Sequence, residues 1–368
     1  ENGPRARRIH RAVDWNAALI VIAAACAYIG VSYTMSMLQY RAVRISYHDC
    51  AGFDEMLWRT LHGQFLRATV FGDRSFLGQH FEFIHLFLLP LYVLWPGLPL
   101  LMLTQSIGLA SGVIPVYLLA TKKLNSRVAA VLFCLAYLFY APMQYTQMRL
   151  IFETYLPENL AIPALLWALY FFERRNMKGL LVAAFFAAAS KEDMVMPIAM
   201  MGIVLVFKGR PWWGVGFFFG ATFWFVASLL WIIPYFQGGQ SHVMTYFYGL
   251  GGTPASIIRH VLFSPLYVLR FVTQFQRADF MLMMLVPMGL LALFSPTALL
   301  IFLPSLASNV LASWAPSSEI YYHYHISLVP LAVGGAIFGA ANIARLASRV
   351  HAAWTDVATP ARLEAVAV

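Results

Sequence analysis

Long apolar runs, each closed by a short polar break, repeat along this 368-residue chain. They fall near residues 16–37, 99–121, 128–146, 157–172, 179–190, 194–207, 213–235, 279–294, 297–312 and 323–345. A helix needs roughly 20 apolar residues to cross a hydrocarbon core. The pattern predicts an all-α polytopic membrane protein with about ten transmembrane helices. No stretch between the runs is long enough for a soluble domain. Residues 1–346 therefore read as one transmembrane domain, and 347–368 as a tail.

Two apolar segments stand outside this count. Residues 82–95 end after 14 positions at Pro96-Gly97 and predict a helix lying at the membrane interface. Residues 254–277 carry Arg259, His260, Arg270 and Arg277 among apolar neighbours and predict a second interfacial excursion. Within the first loop, 38–98, Phe53, Leu57, Leu61 and Phe65 recur every fourth residue. That spacing predicts a short amphipathic helix ending at Gly63, with Asp54 and Glu55 in its first turn.

Charge orients the spans. The chain is 61% hydrophobic and 11% charged, with a net charge of +9 and a mean hydropathy of +0.69. The basic residues sit in clusters between runs: Lys122-Lys123 with Arg127, Arg174-Arg175 with Lys178, Lys208 with Arg210, and Arg345 with Arg349. These clusters follow the positive-inside rule, so the basicity reports topology rather than a nucleic-acid partner. Arg5, Arg7, Arg8 and Arg11 precede a first run too long for a signal peptide. Both termini are then expected in the cytoplasm, with the chain in a bacterial inner membrane. Of 16 Asp and Glu, 11 fall on the opposite side. Acidic residues contribute little to topology, so their gathering marks the outer face as the functional one.

Three constellations carry candidate chemistry. Asp49, with Asp54 and Glu55 behind it, can act as general base on an acceptor hydroxyl. Asp49 with Glu55 can alternatively hold Mg²⁺ or Mn²⁺ against a phosphate. The plainer alternative is a helix cap plus a Glu55–Arg59 pair at i,i+4. Lys191-Glu192-Asp193 forms the tip of a hairpin with arms of about 12 residues. Buried ionisable groups at such a tip favour a paired or ligand-facing role, and the lysine suits a lipid-linked phosphate. Glu319 and His323 stand four apart, so a helix would stack them on one face towards a substrate; an aromatic belt is the alternative. His80, Glu82 and His85 have ligand chemistry without a standard zinc spacing. Arg259 and Arg270 suit lipid phosphates or simple snorkelling.

Absences narrow the field. The chain has no P-loop, Gly-rich nucleotide fingerprint, H-E-x-x-H or G-x-S-x-G, and no nucleotide cofactor is expected. Cys26 and Cys134 fall in runs and Cys50 in a loop, so no intrachain disulfide is expected.

The run from Tyr47 through Asp49, Phe53, Asp54 and Trp58 to Gly63-Gln64-Phe65 resembles the opening motif of a bacterial multi-pass family, domain of unknown function 2079. So do His80-Phe81, Pro90-Leu91-Tyr92, Gln105, Lys191-Glu192-Asp193 and His323-Tyr324 leading to Pro330, in the same order over roughly residues 45–335. That family is regarded as similar to the GT-C membrane glycosyltransferases, which use polyprenyl-phosphate sugars. The resemblance implies a GT-C-like fold with interfacial helices in the first outer loop. It also implies Asp49 as base with Asp54 second, and Lys191 facing the donor phosphate. Arg259 and Arg270 would assist at the phosphate. His80, Glu158, Glu192, Asp193, Glu319 and His323 would face substrate. The implied partners are membrane lipids, a polyprenyl-phosphate-linked sugar, an acceptor and a larger protein complex. One departure stands out: the family often has a histidine before Pro-Glu, where this chain has Leu156 before Pro157-Glu158. A transporter, or a subunit that keeps the fold without the chemistry, are the rival readings.

Overall fold

Twenty-seven residues whose only charge is the terminal Arg41 form the first helix, α1 (Trp15–Arg41). At 1.5 Å per residue it is about 40 Å long, enough to cross a bilayer. The computed structural model describes residues 15–45, 47–147, 155–239 and 242–357, so the arginines of the first eleven residues and Phe152–Thr154 lie outside the described residues.

The outer loop follows as α2 (Tyr47–Leu61), a two-stranded hairpin of β1 (Arg67–Ala68) and β2 (Arg74–Ser75), and α3 (Leu89–Leu94). The bundle is then built from α4 (Leu98–Ser111), α5 (Val113–Leu124), α6 (Arg127–Leu138), α7 (Ala141–Gln147), α8 (Ala161–Arg174), α9 (Met177–Ser190), α10 (Met196–Phe207), α11 (Pro211–Ala227) and α12 (Ile233–Gln237). The remainder is α13 (Pro254–Phe263), α14 (Pro265–Val272), α15 (Phe275–Leu285), α16 (Pro296–Leu311) and α17 (Val329–Val357).

The all-α membrane architecture is as the apolar pattern predicts; the number of crossings is not reached. Among the described residues four segments are long and apolar enough to span: Trp15–Arg41, Leu98–Leu124, Pro211–Gln237 and Ala315–Ala352. Up to six result if each bent pair is one span, namely α6 with α7 (43°) and α13 with α14 (99°). Several expected spans are interrupted for local reasons. The run 279–294 breaks into 3₁₀ turns around Gly289, whose φ of 64° reverses the chain. α9 and α10 have 14 and 12 residues, about 21 and 18 Å, too short for a ~30 Å core. α17 continues to Val357, so the expected tail from 347 is helical through its first part.

Two apolar clusters hold these elements. The main one is made by α1, α4 to α11 and α15 to α17; the smaller joins α2, the hairpin and α3 to α4 and to Tyr155-Leu156. Gly52 on α2 explains the second join. A Cβ there would stand 2.6 Å from the Val70 side chain and 2.7 Å from the Phe71 ring, so only glycine lets the hairpin lie on this helix. Helix α15 is tied to α16 by Arg277. It donates to the carbonyls of Val310 (2.8 Å) and Ala312 (2.9 Å) at the C-terminal end of α16, a position that suits a cation.

Candidate functional site

Four distant parts of the chain meet at the acidic end of the bundle. His80 and Glu82 come from the outer loop and Glu158 from the turn before α8. Lys191, Glu192 and Asp193 form the α9–α10 tip, and His323 lies in the turn before α17. Lys191 Nζ is 3.2 Å from Glu158 Oε1, and His323 Nε2 is 3.4 Å from the same oxygen. His80 Nδ1 is 2.9 Å from Glu192 Oε1, and the Phe81 amide donates to Glu192 Oε2 at 3.0 Å. The Lys191 ammonium also lies 6.0 Å from the Tyr324 ring centre. These charges are buried because the outer loop, the turn before α8 and the turn before α17 close over the tip.

Backbone hydrogen bonds place the parts. Gln105 of α4 accepts from the Leu156 amide at 2.6 Å and donates to Gln147 of α7 at 3.1 Å. Two residues after that anchored amide comes Glu158. The Phe83 amide donates to the Ala189 carbonyl at 3.0 Å, docking the outer loop on the end of α9. Gln105 sits fully buried in an apolar helix; the polar triplet Thr104-Gln105-Ser106 inside a predicted span is the sequence signal for this anchor.

Sequence reasoning gave Glu82 and its neighbour His85 ligand chemistry but no place in this cluster. Glu82 and His85 are fully buried, 3.9 Å apart, and neither carboxylate oxygen nor either ring nitrogen has a hydrogen-bond partner. Burial, followed by the nearby Glu158 carboxylate, pushes the Glu82 carboxyl well above the usual carboxylate range, with Lys191 opposing. Burial lowers the His85 imidazole to about 3. His85 stacks on Phe53 at 5.2 Å.

Asp49 stands in the first turn of α2, half-buried. The helix begins earlier than its apolar spacing predicts, so Asp49 rather than Asp54 or Glu55 occupies that turn, and Phe65 falls beyond the end at Leu61. Asp49, Gly52 and Phe53 are spaced i, i+3, i+4 and share one face, the face that carries the hairpin and His85. Asp54 turns elsewhere: its Oδ1 accepts from the Tyr92 hydroxyl at 2.6 Å. Burial raises the Asp54 carboxyl, and the Tyr92 bond opposes this.

Glu55 behaves as the plainer alternative expects. It pairs with Arg59 at 2.7 Å and accepts from the Thr69 amide (2.9 Å) and hydroxyl (2.7 Å). Arg59 in turn reaches Asp73 at 2.5 Å. Six residues apart on α2, Asp49 and Glu55 are about 120° apart around its axis. Among the described residues no three of His, Cys, Asp and Glu are grouped to hold a metal ion. The Mg²⁺ or Mn²⁺ expectation on this pair does not fit that geometry, and no step below uses a metal.

Two further expectations are corrected. Glu319 and His323 are not stacked on a helix. Glu319 is extended (φ −135°, ψ 135°) and accepts from Gln276 at 2.9 Å, while His323 turns to Glu158. Arg259 and Arg270 are exposed on α13 and α14, either side of the 99° bend, and do not join the Lys191 cluster. Leu156, at the position of the family's histidine, is buried in the apolar cluster with Cys50 and Phe53.

A family model described as predicted membrane protein, DUF2079, matches residues 18–364. No curated protein and no solved structure matches the chain.

Proposed function

Since the chain belongs to the DUF2079 family of predicted membrane proteins, we propose that it is a GT-C-type glycosyltransferase. It moves a sugar from a polyprenyl phosphate to an acceptor hydroxyl at the outer face of a bacterial inner membrane, with both termini in the cytoplasm. The observation that carries the reading is the meeting of Lys191, Glu158 and His323 at the end of a half-length hairpin. A cation held at that depth meets a lipid-linked phosphate without either leaving the membrane.

In this reading the acceptor oxygen attacks the anomeric carbon and forms the new glycosidic C–O bond. The C–O bond to phosphate breaks, and polyprenyl phosphate leaves with the electron pair. Asp49 takes the acceptor proton. Attack opposite the phosphate inverts the anomeric centre. Phosphate is a stable leaving anion, so no protein acid is needed there, unlike in a glycosidase. Lys191 exchanges Glu158 for the phosphate as donor binds, with Arg259 or Arg270 helping only if α14 swings inwards. His80, Glu192, Asp193 and His323 line the donor side.

One observation favours a second reading, a non-catalytic membrane subunit: the Lys191 charge is already neutralised by Glu158. A panel of radiolabelled polyprenyl-phosphate sugars separates the two, incubated with purified wild type and folded Asp49→Asn. Turnover that falls about 10²–10⁴-fold in the variant supports the enzyme and its base. No transfer and no donor binding by wild type leaves the subunit.

A further inference from the structure

Between the outer hairpin and the end of α12 lies a cavity of about 290 Å³, separate from the Lys191 cluster. Its walls are Phe71, Arg74, Ser75, Gly78, Gln79 and Gln237. Loop and helix meet here at a close backbone approach. A Cβ on Gly78 would stand 2.8 Å from the Gln237 nitrogen, and the Arg74 guanidinium donates to the Gln237 carbonyl.

The cavity is small and polar, with one aromatic wall. Its volume is close to the ~300 Å³ at the lower end of ligand sites and about ten times the ~30 Å³ share of one water. That suits one ring-sized molecule and excludes a lipid chain. Ser75 Oγ and Gln237 Oε1 are both buried without a hydrogen-bond partner. Neither oxygen is open to solvent as it stands, so a bound polar group relieves their desolvation cost once these side chains turn towards the cavity. The wall offers acceptors and donors together, from a hydroxyl, two side-chain amides and a guanidinium. Hydroxyl groups use both kinds, whereas a phosphate uses donors alone.

Its position is as informative as its chemistry. The Phe71 ring packs on Gly52 of α2, three residues beyond Asp49 and on the same helix face. Gln79 is followed by His80, which holds Glu192. The cavity thus shares one wall with the helix of the proposed base and another with the segment that leads to the proposed donor side.

We infer that this cavity is a saccharide site, which holds one sugar ring over Phe71 with Ser75, Gln79 and Gln237 as partners for its hydroxyls. As a saccharide site it stands on the cavity alone; as the acceptor subsite it rests on the glycosyltransferase reading. There the bound ring presents the hydroxyl that loses its proton to Asp49 as polyprenyl phosphate departs.

The test is saturation-transfer NMR on the purified full chain in detergent. The probes are methyl glucopyranoside, mannopyranoside and galactopyranoside, with glycerol and inorganic phosphate as controls. At least one glycoside should receive saturation and the controls none. Ser75→Trp, which fills the cavity, should abolish the signal. Gln79→Leu should weaken binding about fivefold, the worth of one neutral hydrogen bond. Both variants are checked for monodisperse elution, and Gln79→Leu serves where the larger side chain prevents folding. Absence of glycoside binding by wild type, binding unchanged by both variants, or competition by phosphate would each overturn the site. Glycoside binding without any transfer removes the glycosyltransferase reading and leaves the site. Transfer unaffected by both variants overturns the acceptor assignment and leaves the glycosyltransferase reading.

Discussion

Lys191 Nζ and Glu158 Oε1 are held 3.2 Å apart, with 8% and 5% of their side chains exposed. Thirty-three positions separate them in sequence. The pair joins the α9–α10 tip to the turn before α8, and its two members depend on each other for neutrality.

Removing either partner should therefore cost about 3–5 kcal/mol, since it leaves the other charge buried. Thermal unfolding in detergent of Lys191→Met, Glu158→Gln and the double variant forms the cycle. The double variant should lose about 1–3 kcal/mol less than the sum. Additive losses would show that the two charges do not act as a pair.

His85→Phe should be neutral or stabilising at pH 7. The imidazole has two buried nitrogens without partners, and the new ring keeps the stack on Phe53. The pH dependence follows from burial, which lowers the folded imidazole to about 3. Its contribution is complete above the unfolded value near 6.5 and is lost as pH falls from there towards 3. Wild type should lose melting temperature over that range more steeply than His85→Phe. Parallel curves would show that His85 titrates normally.

Gln105→Leu should cost about 2–3 kcal/mol, because the Leu156 amide and Gln147 both lose their partner in a buried place. As the anchored amide is two residues from Glu158, the Lys191 pair should loosen as well. Coupling between Gln105→Leu and Glu158→Gln in unfolding measurements tests this. Independent effects would confine Gln105 to helix packing.

Gly78→Ala should part the hairpin from α12, with a cost of about 1–3 kcal/mol for overpacking against backbone that cannot step aside. Limited proteolysis after Arg74 should quicken, since that side chain loses the Gln237 carbonyl it holds. Unchanged cleavage would show the contact to be slack.

How much of this was open to sequence reading depends on the range of the interaction. The apolar runs announce helices because each run buries itself, and the Lys191-Glu192-Asp193 tip shows as charge between two short runs. What escaped was set by distant partners. Glu319 and His323 are four apart, yet one is drawn to Gln276 and the other to Glu158. Arg277 looked like its exposed neighbours Arg259 and Arg270, but the unpaired carbonyls at the end of α16 take it inside. The break at Gly289 and the 99° bend between α13 and α14 were not legible either, because runs of apolar residues do not show where a helix stops being straight.

If the proposed function holds, the half-length hairpin also sets the dimensions of the search for substrate. On the proposed glycosyltransferase reading, a headgroup tethered to a membrane tail would reach the Lys191 tip by diffusing in the plane of the bilayer, at a local concentration that solution never matches. Cutting away the tail would take that advantage from the ligand while leaving every contact with the protein in place.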